Sequence, residues 1–276
     1  MIKRIFVPLD NSIYTDIALE YAILIAKKHQ AVVNGITILD IQEIEDSIGP
    51  VPIGNQYWAE KLEESKINEA NTLINNIKKK FEDKLKKENV TYNFEKDQGI
   101  PSKWIIKKSE FYDLVIMGMN TYFHFGTKDK PGNTIKEVLN NSITPVLLIP
   151  ENFTNIKNVL ITYDGSFQST RAMQRFIHLS MLFDFNIRVI NSSKDKTFFD
   201  YQKENVESYF KAYGLQNIEF IHTEENIKVI LKEKYLEWAD LIVLGAHSKN
   251  VIQDFLIGSL TSFLIDLNKK PLFIGF

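Results

Sequence analysis

The chain has 276 residues, of which 44% are hydrophobic and 25% charged, proportions that fit a soluble globular protein and exclude a disordered or collagen-like one. Its 33 basic and 35 acidic side chains leave a net charge of -2, so no long-range field draws it to nucleic acid or to an anionic membrane. It contains no cysteine, which excludes disulfides, thiolate chemistry and cysteine-ligated zinc and permits a reducing compartment, with the cytoplasm as the expected location.

The N-terminal MIKRIFVPLD opens with a charged pair, but its apolar run is too short for a signal peptide. No apolar stretch approaches the roughly 20 residues that span a bilayer. From this point short apolar runs alternate with helical periodicities. IFVPL, AVVNGITIL, VTYNF, LVIM and VLLI read as strands of the first half. Several are apolar at consecutive positions, as expected where helices cover both faces of a parallel sheet. Ile17, Tyr21, Leu24 and Ile25 make one helical face between them. Ala70, Leu73, Ile74, Ile77, Phe81 and Leu85 make another, on a long helix expected from about Tyr57 to Glu88, whose lysines and glutamates form a solvated outer face. The second half gives VLIT, IRVI, IEFI, LIVL and LFI in the same order.

The halves repeat each other. IFVPLDNS at Ile5 matches VLITYDGS at Val159 with an offset of 154, DLVIMG at Asp113 matches DLIVLG at Asp240 with an offset of 127, and PVLLIP matches PLFIGF with an offset of 126. The fall of 27 places extra chain between the first and fourth strands of the first half. Residues 40–66, with the helix-breaking GPVPIG, are the candidate. The expected architecture is α/β, with two repeated domains at 1–152 and 153–276, each an open five-stranded parallel sheet with helices on both faces.

Ligands of open parallel sheets bind beyond the carboxyl ends of the strands. Asp10 and Asp164 end first strands there, and Gly118 and Gly245 end fourth strands. A helix beginning near Gly258 would present free N–H groups and the positive end of its dipole, which suits phosphate oxygens, and Ser259 adds a hydroxyl. Glycine at 258 permits close backbone approach, and glycine at 245 is expected to allow dihedral angles that a Cβ would penalise. The alternative is that these glycines serve only tight turns. No G-x-x-x-x-G-K-[ST] is present, and GSFQST is not G-x-G-x-x-G, so P-loop and dinucleotide-fold readings are weak.

With these residues in place the chain resembles a tandem universal stress protein, a family of adenine nucleotide α-hydrolase-like fold. Its nucleotide-binding members carry G-x-x-G-x9-G-[ST] after the fourth strand and an Asp closing the first. The second half has Gly245, Ser248, Gly258 and Ser259 at these positions; the first has Gly118, Thr121, Gly132 and Asn133, with one extra residue in the loop. The resemblance implies binding of ATP or another adenine nucleotide with Mg2+. Asp10 or Asp164 would contact ribose or adenine, backbone near Ile38 or Ser192 would meet the base edge, and the glycine loop would hold the phosphates; Thr261 counts among the nucleotide-binding residues, and His247 falls where the family often has a histidine, the alternative being a solvent-exposed loop residue. If the second-glycine position needs a left-handed conformation, Ser248 costs roughly 1 to 2 kcal/mol and Thr121 more. Tyr122, Phe123 and Phe125 either stack on a base, cover the pocket or pack inward, and inward packing is the expectation. Lys128 and Lys130 would either reach phosphates there or stay solvated, and solvated lysines are the more common outcome.

No nucleophile with an orienting base stands out, there is no G-x-S-x-G or H-E-x-x-H, and the five histidines lack ligand spacing, His178 and His222 reading as structural. A nucleotide-responsive stress protein is therefore the leading expectation, with a non-nucleotide interaction module of the same fold and a slow ATPase as alternatives. The resemblance further implies pairing through the last strands, PVLLIP and PLFIGF, giving an internal pseudo-dimer and a possible homodimer, with no nucleic-acid or membrane partner.

Overall fold

The computed structural model describes residues 1–52, 54–123, 125, 134–245 and 258–276. Ten strands form one sheet. In the first half these are β1 (Arg4–Pro8), β2 (Val32–Leu39), β3 (Tyr92–Gln98), β4 (Leu114–Gly118) and β5 (Val146–Ile149). In the second they are β6 (Asn158–Thr162), β7 (Asn186–Ser192), β8 (Ile218–Thr223), β9 (Leu241–Gly245) and β10 (Leu272–Gly275). Their order across the sheet is β3-β2-β1-β4-β5-β10-β9-β6-β7-β8. Each half is parallel throughout with the same internal order, and among the described residues the only antiparallel pair is β5 with β10, in the register Leu272↔Leu148, Phe273↔Leu147, Ile274↔Val146.

The expected pairing of the last strands thus occurs within the chain, and it corrects the possibility of a homodimer through them. β5 lies between β4 and β10, and β10 between β5 and β9, so neither has a hydrogen-bonding edge left for a second copy. The open edges are β3 and β8. Both carry outward charge, with Glu95 and Asp97 paired to Lys108, and Glu219 paired to Arg188 at 2.6 Å, a composition that discourages further strand addition.

Helices cover the faces because the central strands are apolar on both sides. VLLI of β5 and LFIG of β10 are buried at every position. α1 (Ile13–His29) follows β1, and α2 (Ile41–Ile48) and α3 (Gln56–Lys87) join β2 to β3. α4 (Pro101–Ser109) and α5 (Thr134–Asn141) complete the first half. α6 (Phe167–Ser180), α7 (Lys196–Ala212), α8 (Ile227–Ile230) and α9 (Ser259–Leu267) belong to the second, with a π-helical turn at Leu231–Tyr235 after α8. α3 buries Ala70, Ile74, Ile77, Phe81 and Leu85, the stripe read from the sequence, with Leu73 partly buried beside it. Gly35 of β2 leaves room for the Phe81 ring, since a Cβ there would lie 2.7 Å from it.

The 27-residue excess falls between β2 and β3. Residues 40–91 connect them, whereas residues 193–217 connect β7 to β8. GPVPIG separates α2 from α3. The Asp40 carboxylate caps α2 by accepting from the Glu43 N–H at 3.2 Å.

Two buried groups tie the halves at the seam. His29 Nδ1 accepts from the Ile2 N–H at 3.2 Å, so its Nε2 carries the proton and donates to the Leu179 carbonyl at 2.9 Å. Burial holds the pKa of this imidazole below its ordinary value. Tyr14 Oη donates to Glu151 Oε1 at 3.0 Å and accepts from Asn120 at 3.0 Å and Asn268 at 2.8 Å, joining the loop after β4 to the end of α9.

Candidate functional site

At the carboxyl end of β6 the chain turns through Tyr163, Asp164 and Gly165 into α6. Gly165 has a φ of 76°, a conformation that glycine adopts without strain. Ser166 is the N-cap: its Oγ accepts from the Ser169 N–H at 3.2 Å. The Asp164 Oδ1 accepts from the Ser166 N–H at 2.9 Å and from the Ser169 hydroxyl at 2.7 Å. Desolvation raises the pKa of this carboxyl, but the Ser166 and Ser169 hydrogen bonds outweigh it and hold it below the usual carboxylate value.

A depressed folded-state pKa means that the Asp164 anchor contributes stability above the ordinary carboxylate pKa and loses it as the pH falls through the folded value. Ser169→Ala is expected to raise the Asp164 titration midpoint, followed by carboxyl NMR, because it removes the hydroxyl that donates to Asp164 Oδ1, and to cost about 1 kcal/mol through loss of that hydrogen bond. An unchanged midpoint would contradict the hydrogen-bond origin of the shift.

Around this turn lies a cleft of about 250 Å3. Thr162, Asp164, Ser166, Ser169, Ser192, Ser259 and Thr261 give it polar groups, while Tyr163, Ile190, Ile227, Leu244 and Leu260 give it apolar wall. Gly245 and Gly258 also line it. The structure therefore brings together Asp164, Ser192, Gly245, Gly258, Ser259 and Thr261 of the sequence-predicted set. His247 and Ser248 lie outside the described residues.

The reason for Gly245 differs from the expectation. It is not at positive φ; instead a Cβ there would stand 2.6 Å from the Gln168 carbonyl carbon and the Ser169 nitrogen, in the first turn of α6. Gly118 is likewise spared for proximity, since its Cβ would meet Tyr14 Cβ at 2.4 Å. Gly258 is the N-cap of α9, at φ -51° and ψ 144°, and has no side chain with which to cap. No acceptor among the described residues receives the N–H groups of Ser259, Leu260 and Thr261, the first turn of α9.

The first half has the same beginnings and a different outcome. Asp10, Ser12 and Thr15 stand where Asp164, Ser166 and Ser169 do, and Asp10 Oδ1 accepts from the Ser12 N–H at 3.1 Å and the Thr15 hydroxyl at 3.0 Å. Here, however, Asp10 Oδ2 also accepts from the Tyr122 N–H at 2.5 Å, and the residue is only 3% exposed. Phe123 and Phe125 are buried, as inward packing predicts, and so is Thr121. Thr121 is not left-handed: outside glycine the described residues at positive φ are Gln30, Asn89 and Asn268. Ile38 is buried within β2, at the position equivalent to Ser192. The loop after β4 thus covers the Asp10 carboxylate, whereas Asp164 is exposed. Gly132, Asn133, Lys128 and Lys130 lie outside the described residues.

Ser166, Ser169 and the apolar wall were not singled out from sequence. The signal for the serines was present as D-x-S-x-x-[ST] in both halves, DNSIYT and DGSFQS, a helix start whose cap also anchors the preceding aspartate.

The fold and this cleft define a class: an α/β protein of two repeated parallel half-sheets joined at their last strands, with a crevice beyond the strand ends. The Universal stress protein family model matches residues 1–150, more than half of the chain, and the chain belongs to that family. The universal stress protein Slr1230 of Synechocystis is 24% identical over 191 residues, which is 63% of this chain and 65%, slightly under two thirds, of that protein. Among solved structures, a universal stress protein from Archaeoglobus fulgidus superposes with a TM-score of 0.71 at 19% identity, over 99% of this chain and 97% of that one. A putative universal stress protein from Pseudomonas aeruginosa superposes with a TM-score of 0.61 at 14% identity, over 99% and 93%. Among the described residues no helix is long and apolar enough to cross a membrane.

Proposed function

We propose that this universal stress protein binds one adenine nucleotide, ATP, in the second-half cleft and acts as a nucleotide-responsive regulatory protein. The observation that carries the reading is a first turn of α9 whose N–H groups have no acceptor among the described residues, in the same cleft as the exposed, hydroxyl-anchored Asp164. The N–H groups of Ser259, Leu260 and Thr261, with the Ser259 and Thr261 hydroxyls, suit phosphate oxygens. Asp164 suits a ribose hydroxyl donor, and Ile190, Ile227 and Leu244 supply an apolar wall for a base near Ser192. Mg2+ would enter on the triphosphate, since the described residues contain no cluster of three His, Asp or Glu to hold it independently.

Closure of the first-half site over Asp10 makes the expected stoichiometry one nucleotide per chain. Titration calorimetry with Mg-ATP tests this, alongside chromatography of small molecules released on denaturation. Two equivalents bound would refute closure of the first half. No heat, no released nucleotide and no thermal shift would leave the interaction-module reading, and phosphate release during turnover would favour the slow ATPase.

A further inference from the structure

The first three turns of α3 bury nothing fully; its buried stripe starts only at Ala70. Yet this overhang displays Trp58 at 71% exposure, Tyr57 at 61% and Leu62 at 47%, with the Tyr57 and Trp58 rings in edge contact at 5.5 Å. Trp58, Leu62 and Glu69 share one helical face, about 120° round from the sheet-facing stripe. The overhang belongs to the 27-residue excess that the second half lacks, so the repeat folds without it. Exposed aromatics in such a place mark an interaction surface rather than a misplaced core.

Charge identifies the occupant. Residues 40–66 hold seven carboxylates and two lysines, a net charge of -5 within a chain whose total is -2. Lys61 is held by Glu64 at 2.7 Å, and Lys66 by the Ser47 hydroxyl at 2.6 Å, a bond that ties α2 along the flank of the overhang. Glu45 and Asp46 of α2 and Glu69 of α3 are exposed around it. An acidic rim repels an anionic membrane and also repels a second copy of itself laid patch on patch.

We propose that this overhang is a docking surface for a basic amphipathic helix of a partner protein, whose apolar side chains pack on Trp58 and Leu62 and whose lysines or arginines meet Glu45, Asp46 and Glu69. This surface is separate from the nucleotide cleft and does not depend on its occupancy.

The test uses the full chain and a labelled synthetic helix of leucine and lysine, about 18 residues or five turns long. Its controls are the same pattern with glutamate for lysine, and phosphatidylserine vesicles. By fluorescence anisotropy the leucine–lysine helix should bind and the leucine–glutamate helix should not. Trp58→Ala with Leu62→Ala should weaken binding at least tenfold, and Glu45→Gln, Asp46→Asn and Glu69→Gln together should weaken it several-fold and flatten its salt dependence. These positions are exposed, so circular dichroism and melting should match the parent. Equal binding by the Trp58/Leu62 variant, adsorption to the vesicles, or a dimer in sedimentation that dissociates in that variant would each overturn the proposal.

Discussion

Asp164→Ala is expected to abolish the ATP-induced rise in melting temperature while lowering the stability of the unliganded protein by only about 1 kcal/mol, whereas Asp10→Ala should do the reverse. The two aspartates occupy equivalent places, and their surroundings separate them. Asp164 is exposed and loses two hydrogen bonds on truncation. Asp10 is buried, and its removal strips acceptors from the Ser12 N–H, the Thr15 hydroxyl and the Tyr122 N–H that seals the loop. Leaving these three donors without the carboxylate costs at least about 3 kcal/mol, by the usual 1 to 3 for each buried unpaired group. A ligand at a hundredfold excess over its Kd stabilises by about 2.7 kcal/mol, a shift of several degrees that differential scanning fluorimetry resolves. An ATP response that survives Asp164→Ala and disappears in Asp10→Ala would reverse the assignment of the open site.

Gly245→Ala is expected to destabilise the protein by about 3 kcal/mol, at the upper end for overpacking, because the atoms in the way are backbone and cannot swing aside. The added Cβ would force the first turn of α6 off the end of β9. That same turn carries Ser169, which anchors Asp164, so weaker nucleotide binding should accompany the loss of stability. Urea denaturation measures the first effect and calorimetry the second. A variant as stable as the parent would show that α6 is not seated as closely on β9 as described.

Much of the architecture was legible because apolar runs on consecutive positions are what a doubly covered parallel strand requires. VLLI and LFIG each lie interior, and the need to cover two such edges already argued for their pairing. α2 was not legible: of its eight residues only Ile44 is buried, and the helix stands on the Asp40 cap and on α3 rather than on a periodicity. The grouping of Asp164, Gly245, Gly258 and Ser259 around one cleft could be read, since helix starts and strand ends have residue signatures. The closure of the first-half site could not, because its decisive bond is donated by a backbone N–H, and any residue at 122 other than proline would supply it. Gly245 shows a related limit. A glycine needed for φ and a glycine needed for proximity are the same letter, and only the neighbouring helix tells them apart.

Residues 150–157 run directly from β5 to β6, and this short tether changes the standing of the β5–β10 pairing. Between separate chains such a pairing would be bimolecular and would weaken on dilution. Here each apolar edge meets the other at an effective concentration in the millimolar range, set by the tether. The assembly is therefore indifferent to how much of the protein is present, and severing the tether would convert a fixed internal joint into two adhesive fragments.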